Sequence, residues 1–459
     1  MRRRSPPIRP NKDGLWGEGK RIFESLRVPS GWQVEIYFQR ERSREFAWSA
    51  GRPDDTVSSW SQGMGVRAVH RGRQGFASAC EISSGAARRL WDQARAAAAF
   101  SPADARRTFY APRPGEDEPA AEPGDDDLFR GSPGEVRDRL AFWEKRALAK
   151  DRRLKKVLKL SLSETRGESA LFSSMGVAVR EPYGDASFSA EVLGEWKKDV
   201  QVGWDWSASR SRQSLDVERV LAGACGQAVG AFGAKALFSG TWPVVFHPKA
   251  GVEFLELLSD ALGADAVQHG RSFFVGRRGK RVGSSAVTLV DDGRYPGGLA
   301  TARFDDEGCP TRETATVSGG VLREFLYDHY TARKENRLST GNGNRSGVDG
   351  PPSPSASNFY LKPGGVPAAE LMRDTARAFV VEDVIGMHMA DGVSGDFSVG
   401  AGGFLWRNGR RVHAVRGATL AGNLLEMLNG VDAVADDLTW YGAVGAPTFR
   451  VKGLSVGGA

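Results

Sequence analysis

The chain has 459 residues, 40% hydrophobic and 26% charged, which is the composition of a globular protein with room for two or more domains. Its 57 glycines favour turns and β-structure over a helical bundle. Three cysteines without a CxxC pair argue against a disulfide framework, and no run of about 18 apolar residues is present to span a membrane. The net charge of +7 is attributed to a solubilising surface, so no nucleic acid is expected as a partner. Because no apolar region of a secretory signal follows the basic N-terminus, we expect a cytoplasmic protein.

The first predicted unit, residues 1–111, combines antiparallel strands with a helix. The alternation in QVEIYF (33–38) predicts a half-buried strand, which a charged turn and the segment REFAWSA follow. Two more strand-like segments, GVRAVH and QGFASAC, are separated by an Arg-Gly turn. A helix is then predicted to begin near Ser83 or Ser84, either of which suits an N-cap.

An insert is predicted at residues 112–155. Its first part, residues 112–127, holds seven acids and four prolines without an apolar period, which is typical of an exposed linker. The sequence from Ser132 to Glu135 then has the pattern of a capping box with a proline at the first helical position. Apolar residues at helical spacing predict a charged helix that continues to about residue 154.

The remainder of the chain predicts a second sheet-plus-helix unit at 156–240 and a β-rich domain at 241–459. Residues 157–208 contain four strand-like segments, and a helix rich in small residues is predicted to follow them at about 215–236. The Gly-rich C-terminal part contains mostly short strands, with helices predicted at 250–262, 319–328, 367–379 and 418–429. The predicted fold class is therefore α+β, with N-terminal antiparallel sheet-plus-helix units and a β-rich C-terminal domain.

Most local signatures of chemistry are absent. No two of the six histidines lie within five residues, so HExxH is excluded, and neither a P-loop nor a GxSxG elbow occurs. Two segments stand out. FDDEGCPTR (304–312) places Asp305, Asp306 and Glu307 beside a Gly-Cys-Pro turn, where three acids could bind a divalent cation or cap the turn.

The second segment, residues 318–364, is a short amphipathic stretch followed by a long loop rich in Gly, Asn, Ser and Pro. Long loops of this kind are usually functional or disordered. Several of its side chains are suited to holding an extended peptide backbone or a carboxylate: Tyr330, Arg333, Asn342, Arg345 and Asn358. We predict these five as candidate substrate-binding residues.

The blocks FDDEG, GVLREFLYDHYTARK, LSTGNGNR and PSASNFYLKPG occur in an order and spacing that resemble the TldD/PmbA (modulator of gyrase) peptidase family. The resemblance implies the α+β arrangement given above and a dimer that encloses a cavity. It further implies two kinds of chain. TldD-type chains carry HExxxH on a helix and a C-terminal cysteine that completes a zinc site, whereas PmbA-type (TldE) chains lack these ligands and pair with a TldD-type chain.

Aligned with the family, the HExxxH window falls within GVEFLELLSDAL (251–262). Leu255 and Asp260 stand where the histidines would be, Glu256 remains, and DLTWYGAVGAPTF (437–449) has no cysteine. A leucine cannot bind zinc, and one aspartate cannot hold it alone. The apolar positions of this window instead predict a core-facing helix. The resemblance therefore implies no catalytic residue and no cofactor in this chain, with zinc in a TldD-like partner.

The function that follows is that of a non-catalytic TldE/PmbA-like subunit of a heterodimeric TldD/TldE zinc metalloprotease. Such a complex would cleave extended peptides, for example leader regions of ribosomally made peptide products or unfolded segments. Two alternatives stay open: a metal-independent peptide-modifying enzyme that uses the 305–307 acids or a loop Ser/Thr, and a peptide-binding homodimer without protease activity. The insert at 112–155 looks long for the family and indicates either a specialised substrate or a surface elaboration.

Overall fold

The computed structural model describes residues 14–113 and 127–458. Nearly all of the predicted acidic linker therefore lies outside the described residues. Among the residues described, no helix combines the length and the apolar composition that a membrane span needs. The α+β fold class is confirmed, because antiparallel sheet and helices come first and a β-rich part follows.

The N-terminal half of the described chain is built on one six-stranded antiparallel sheet with the order β3-β2-β1-β4-β5-β6. Its strands are β1 (Trp32–Ser49), β2 (Arg52–His70), β3 (Arg73–Ala79), β4 (Leu154–Ser173), β5 (Ala178–Trp196) and β6 (Asp199–Ser209). Because β1 pairs with β4, strands of both predicted N-terminal units lie in the same sheet. The domain boundaries proposed at 111 and 155 stay a prediction. Hydrogen bonds between β1 and β4 join the parts of the chain on either side of them.

Two details of the N-terminal prediction are wrong. The charged turn expected after QVEIYF is the middle of β1, and the four strand-like segments of 157–208 form three long strands. The reason is cross-strand pairing of charged residues, which sequence periodicity does not reveal. Arg44 of β1, for example, lies opposite Glu164 of β4 and donates from Nε to its Oε2 at 2.5 Å.

Four helices of the described chain cover one face of this sheet: α1 (Gly14–Glu24), α2 (Ser84–Phe100), α3 (Pro133–Ala149) and α4 (Val217–Gly230). They enclose two apolar cores, one under α1 and α2 and one under α3 and α4. The Ser83 N-cap and the capping box of Ser132 and Glu135 are confirmed. Helices α3 and α4 end earlier than predicted.

The C-terminal part begins with β7 and contains short strands and helices. The strands are β7 (Gly240–Phe246), β8 (Leu289–Asp292), β9 (Glu313–Ser318), β10 (Val321–Leu322), β11 (Gly343–Asn344), β12 (Ser353–Pro354), β13 (Phe359–Leu361), β14 (Arg377–Ile385), β15 (Asp396–Arg407), β16 (Arg410–Asn423), β17 (Val431–Val434), β18 (Thr439–Tyr441), β19 (Val444–Ala446) and β20 (Phe449–Gly457). The helices are α5 (Pro248–Ala261), α6 (Ala264–Gln268), α7 (His329–Lys334), α8 (Ala368–Arg373) and α9 (Leu424–Gly430), with a 3₁₀ turn at Met387–Met389.

Within the described residues these strands form two six-stranded sheets, β10-β9-β8-β13-β19-β18 and β16-β15-β14-β7-β20-β17, and the small ribbon β11-β12. Helix α5 packs against β13, β18 and β19 of the first sheet and against β7 and β14 of the second. Gly251 permits this close packing, since a Cβ there would lie 2.9 Å from the ring of Phe449. The helix predicted at 250–262 is thereby confirmed and stands at the centre of the largest apolar core.

The other C-terminal helix predictions need correction. Residues 319–328 form no helix, because Gly319 and Gly320 adopt φ values of +54° and +77° and turn the chain from β9 into β10. The predicted helix at 367–379 ends at Arg373, and the chain then enters the sheet as β14. The predicted helix at 418–429 is strand β16 in its first half and helix α9 in its second half. In each case strand pairing overrides local helical periodicity.

Candidate functional site

Helix α5 is the helix that would carry a zinc motif in a TldD-type chain. It begins after His247, whose Nδ1 accepts a hydrogen bond from the backbone N–H of Lys249 at 3.2 Å. Leu255 is 2% exposed and belongs to the apolar core together with Phe254 and Leu258. The predicted core-facing stripe is confirmed, and Leu255 points into it.

The opposite face of α5 is acidic. Glu253, Glu256 and Asp260 recur there at helical spacing, and Glu256 and Asp260 are exposed. Partial desolvation against the protein surface raises the pKa of Glu256, and the neighbouring charges of Glu253 and Asp260 raise it further. Partial desolvation also raises the pKa of Asp260. Three carboxylates therefore share one helix face, with no histidine among them.

The residues around α5 do not fit a zinc ion. Leu255 faces the core while Asp260 faces outward, so the two positions do not converge. The 437–449 window does lie beside α5, as the family register implies, because β18 and β19 pack on this helix. Its one acid, Asp437, already accepts hydrogen bonds from the backbone N–H and the hydroxyl of Thr448 at 2.8 and 2.7 Å. Across residues 14–113 and 127–458, no group of three His, Cys, Asp or Glu side chains is arranged to hold a metal.

Asp305 caps the turn of FDDEG, which is one of the two roles considered for the acids of this segment. Asp305 Oδ1 accepts the backbone N–H of Glu307 at 2.9 Å and of Cys309 at 2.8 Å. Its Oδ2 accepts the N–H of Gly343 at 2.9 Å. Burial and the charge of Glu307 raise the pKa of Asp305 well above its ordinary value. These carboxylate oxygens are used to join two loops, so a cation would have to displace existing bonds.

Glu307 belongs to a buried charge network that joins the two halves of the described chain. Its Oε1 accepts a hydrogen bond from Arg67 Nη2 at 3.1 Å, and its Oε2 accepts the backbone N–H of His329 at 2.7 Å. Arg67 also donates to Glu35 Oε2 at 2.7 Å, and Arg345 Nη2 donates to Glu35 Oε1 at 2.5 Å. We call Glu35, Arg67, Glu307 and Arg345 the buried ion network.

Three of the five predicted substrate-binding side chains lie inside the protein. Arg345 is part of the buried ion network. Asn342 donates from Nδ2 to Asp291 Oδ2 at 2.7 Å. Asn358 donates to the carbonyl of Asp292 at 2.8 Å and accepts the N–H of Ala300 at 2.9 Å. These side chains hold the long loop in shape and are too buried to contact a peptide in this structure.

The other two predicted residues lie on α7 and are more accessible. The hydroxyl of Tyr330 donates to Asp104 Oδ2 at 2.9 Å, and Arg333 Nε donates to the carbonyl of Arg106 at 3.1 Å. Both side chains therefore contact the segment that follows α2. The five candidates do not converge in one site, and a substrate role for Tyr330 and Arg333 stays a prediction.

Arg333 lines a cleft that the sequence did not indicate. The cleft has a volume of about 620 Å³ and lies between the segment 108–113, the turn 309–312 and the end of α7. Five arginines from four separate parts of the sequence line it: Arg113, Arg294, Arg312, Arg333 and Arg337. In the sequence these arginines are scattered, and their spacing does not indicate that the fold brings them together.

Comparison with known proteins gives matches over both halves of the chain. The family described as PmbA/TldA metallopeptidase C-terminal domain matches residues 239–458, and the PmbA/TldA metallopeptidase domain 1 matches residues 34–98. An uncharacterized protein of Methanocaldococcus jannaschii is 30% identical over 304 residues, which is 65% of this chain and 68% of that protein.

Two solved structures have the same fold over nearly the whole chain. A Thermotoga maritima protein described as a proposed modulator of a DNA gyrase has a TM-score of 0.87 at 26% identity, covering 96% of this chain and 99% of that one. TldE from Thermococcus kodakarensis has a TM-score of 0.84 at 23% identity, covering 96% and 98%. The second likeness is one of fold alone.

Proposed function

Because the chain belongs to the PmbA/TldD metallopeptidase family, we propose that it is the non-catalytic, TldE-like subunit of a two-chain zinc metallopeptidase. Helix α5 carries the proposal. At the position of the first zinc ligand stands Leu255, which is buried in the core, and the second position holds the outward-facing Asp260. A helix with these two side chains has no set of donors for zinc.

The proposal assigns the zinc and its hydrolytic chemistry to a TldD-like partner. This chain would complete the cavity of the heterodimer and help to hold an extended peptide, such as the leader region of a ribosomally made peptide product or an unfolded segment. Extended peptides commonly bind through backbone hydrogen bonds, which tolerate many sequences. None of the three cysteines forms a disulfide, which suits the reducing cytoplasm that the proposal assumes.

The test is to purify the chain alone and together with the TldD-like chain of the same organism. Zinc content is measured by mass spectrometry of the metal, and cleavage is measured with a fluorogenic peptide. We expect zinc and cleavage only in the two-chain complex. Stoichiometric zinc together with peptide cleavage in the lone chain would overturn the proposal, as would the failure of the two chains to associate.

A variant of this chain gives a second test within the complex. Glu256 stands at the position of the family's catalytic base, but the zinc ligands that would accompany such a base are absent from this helix. We expect Glu256→Gln to leave kcat/KM of the complex within about twofold, because the side chain takes no part in the reaction. A loss of about a hundredfold or more would mean that this chain contributes a base.

A further inference from the structure

The described lining of the arginine cleft has an excess of positively charged side chains. Of the described residues that line it, five are arginines and none is Asp or Glu. Arg337 donates to Glu324 at 2.8 Å, outside the cleft lining, and Arg333 uses its Nε on a backbone carbonyl. The guanidinium groups of Arg294 and Arg312 form no hydrogen bond or ion pair with any residue of the described chain. Several positively charged side chains around one cleft favour the binding of an anion.

Glu307, which lies behind the cleft wall, does not neutralise this charge. Glu307 is buried, and both of its oxygens are taken by Arg67 and by the backbone of His329. The imidazole of His329 lies within 3.2 Å of the Thr108 hydroxyl, and burial lowers its pKa. His329 therefore stays neutral near pH 7 and adds no charge of its own. Among the described residues of the lining, the charged side chains are therefore all arginines.

The shape and lining of the cleft favour a carboxylate over a single-stranded nucleic acid as the bound anion. A volume of about 620 Å³ is within the usual range of ligand sites. The aromatic residues that border it, Phe109 and Tyr110, are only 2% and 6% exposed. Single-stranded nucleic acid needs exposed aromatic faces on which bases stack. A guanidinium fork, by contrast, matches a carboxylate with two parallel hydrogen bonds.

We propose that the arginine cleft binds the carboxylates of an acidic peptide segment, with Arg294 and Arg312 as the groups that contact it. The choice of a peptide as the ligand rests on the proposed function, since a peptidase subunit binds peptides. The positive charge of the cleft is observed independently of that function. The cleft would then give the complex a preference for substrates that carry Asp and Glu in one part of their length.

The test is fluorescence anisotropy with two labelled peptides of equal length, one rich in Asp and Glu and the other carrying Asn and Gln at the same positions. We expect the full-length chain to bind the acidic peptide at least tenfold more tightly, and raising the salt from 50 to 300 mM to weaken this binding. Arg294→Glu with Arg312→Glu should raise the Kd of the acidic peptide about tenfold or more. The circular dichroism spectrum and melting temperature report whether the variant folds.

The matched control is Arg88→Glu with Arg407→Glu, two exposed arginines outside the cleft that change the net charge by the same amount. An equal loss of binding in this control would overturn the proposal, because it would show a response to total charge. Tighter binding of a single-stranded oligonucleotide than of the acidic peptide would also overturn it.

The chain's own acids, which follow Arg113 in the sequence, are a competing occupant. Replacing the acids of residues 116–126 by amides should leave the Kd of the acidic peptide within about threefold. A gain of tenfold or more would assign the cleft to that segment instead. The binding assay uses the lone chain, so it is independent of the partner. If the two chains fail to associate, the proposed function is wrong. The change in Kd of the acidic peptide in the Arg294→Glu, Arg312→Glu variant still tests this inference.

Discussion

Arg345 and Glu35 form a buried ion pair, with 2.5 Å between Nη2 and Oε1, although 310 residues separate them in the sequence. Glu35 lies in β1 of the N-terminal sheet, and Arg345 lies in the long loop of the C-terminal part. Arg67 of β2 joins the same carboxylate at 2.7 Å and reaches Glu307 at 3.1 Å. Two acids and two arginines thus balance one another at the junction of the two halves of the described chain.

Removing one charge of the buried ion network should destabilise the protein strongly. In Glu35→Gln, Arg67 and Arg345 would lose their shared partner while staying buried, so we expect the free energy of unfolding to fall by about 3–5 kcal/mol. Urea denaturation measures this change. The control is Glu81→Gln, which breaks an exposed pair with Arg89 and should lower the free energy of unfolding far less, because solvent screens the pair. Similar losses in the two variants would contradict the role given to the network.

Asn358 should behave as a structural residue and Tyr330 as a surface residue. Asn358→Ala removes hydrogen bonds to Asp292, Thr301 and Ala300, so we expect a loss of about 3 kcal/mol in unfolding free energy. Tyr330→Phe removes one accessible hydrogen bond and should cost less than about 1 kcal/mol. If Tyr330 binds substrate, its variant raises KM of the complex without lowering the melting temperature. An unchanged stability in Asn358→Ala would contradict its placement.

Restoring histidines on α5 should not restore a zinc site. In Leu255→His with Asp260→His, the first imidazole would enter an apolar core and the second would face outward, so the two would not converge on one ion. We expect substoichiometric zinc by metal mass spectrometry. We also expect a loss of about 2–5 kcal/mol in stability, the range for deleting a core leucine. Asp260→His alone, at an exposed position, should change stability by less than about 0.5 kcal/mol. One tightly bound zinc per double variant would refute this expectation.

Buried carboxyl groups should make the protein less stable as the pH rises from about 4 to about 7. Burial raises the pKa of Asp291 to about 7, and burial together with the charge of Glu307 raises the pKa of Asp328 to about 7. The unfolded pKa of Asp is near 4. In this window the folded state holds more protons than the unfolded state. Each group then lowers the unfolding free energy by about 1.4 kcal/mol per pH unit, and the effect ends above the folded pKa.

Asp328→Asn isolates one of these groups. Asp328 Oδ1 accepts both the backbone N–H and the hydroxyl of Thr331, and the amide oxygen of Asn can accept the same bonds. We expect the slope of unfolding free energy against pH between 4 and 7 to become shallower by about 1.4 kcal/mol per unit. Urea denaturation across this range measures the slope. An unchanged slope would mean that Asp328 is ionised throughout the window.

Features decided by local chemistry were predictable from the sequence. The Ser83 cap, the capping box at Ser132 and helix α5 each depend on residues within a few positions of one another, and the structure confirms them. The loss of zinc ligands at Leu255 and Asp260 is also a matter of residue identity. The family blocks made the α+β fold and the family itself predictable, because their order along the chain is a property of the sequence.

The tertiary structure alone decided what depends on pairing over long distances. Strand β10 replaced a predicted helix because Gly319 and Gly320 turn it back onto β9. Asn342, Arg345 and Asn358 were suited to a substrate by their chemistry, but burial against distant acids and carbonyls made them part of the scaffold. The five arginines of the cleft come together only because the fold brings four separate segments of the sequence to one place. The sequence determined which groups are available, and the fold determined which of them face solvent and which face one another.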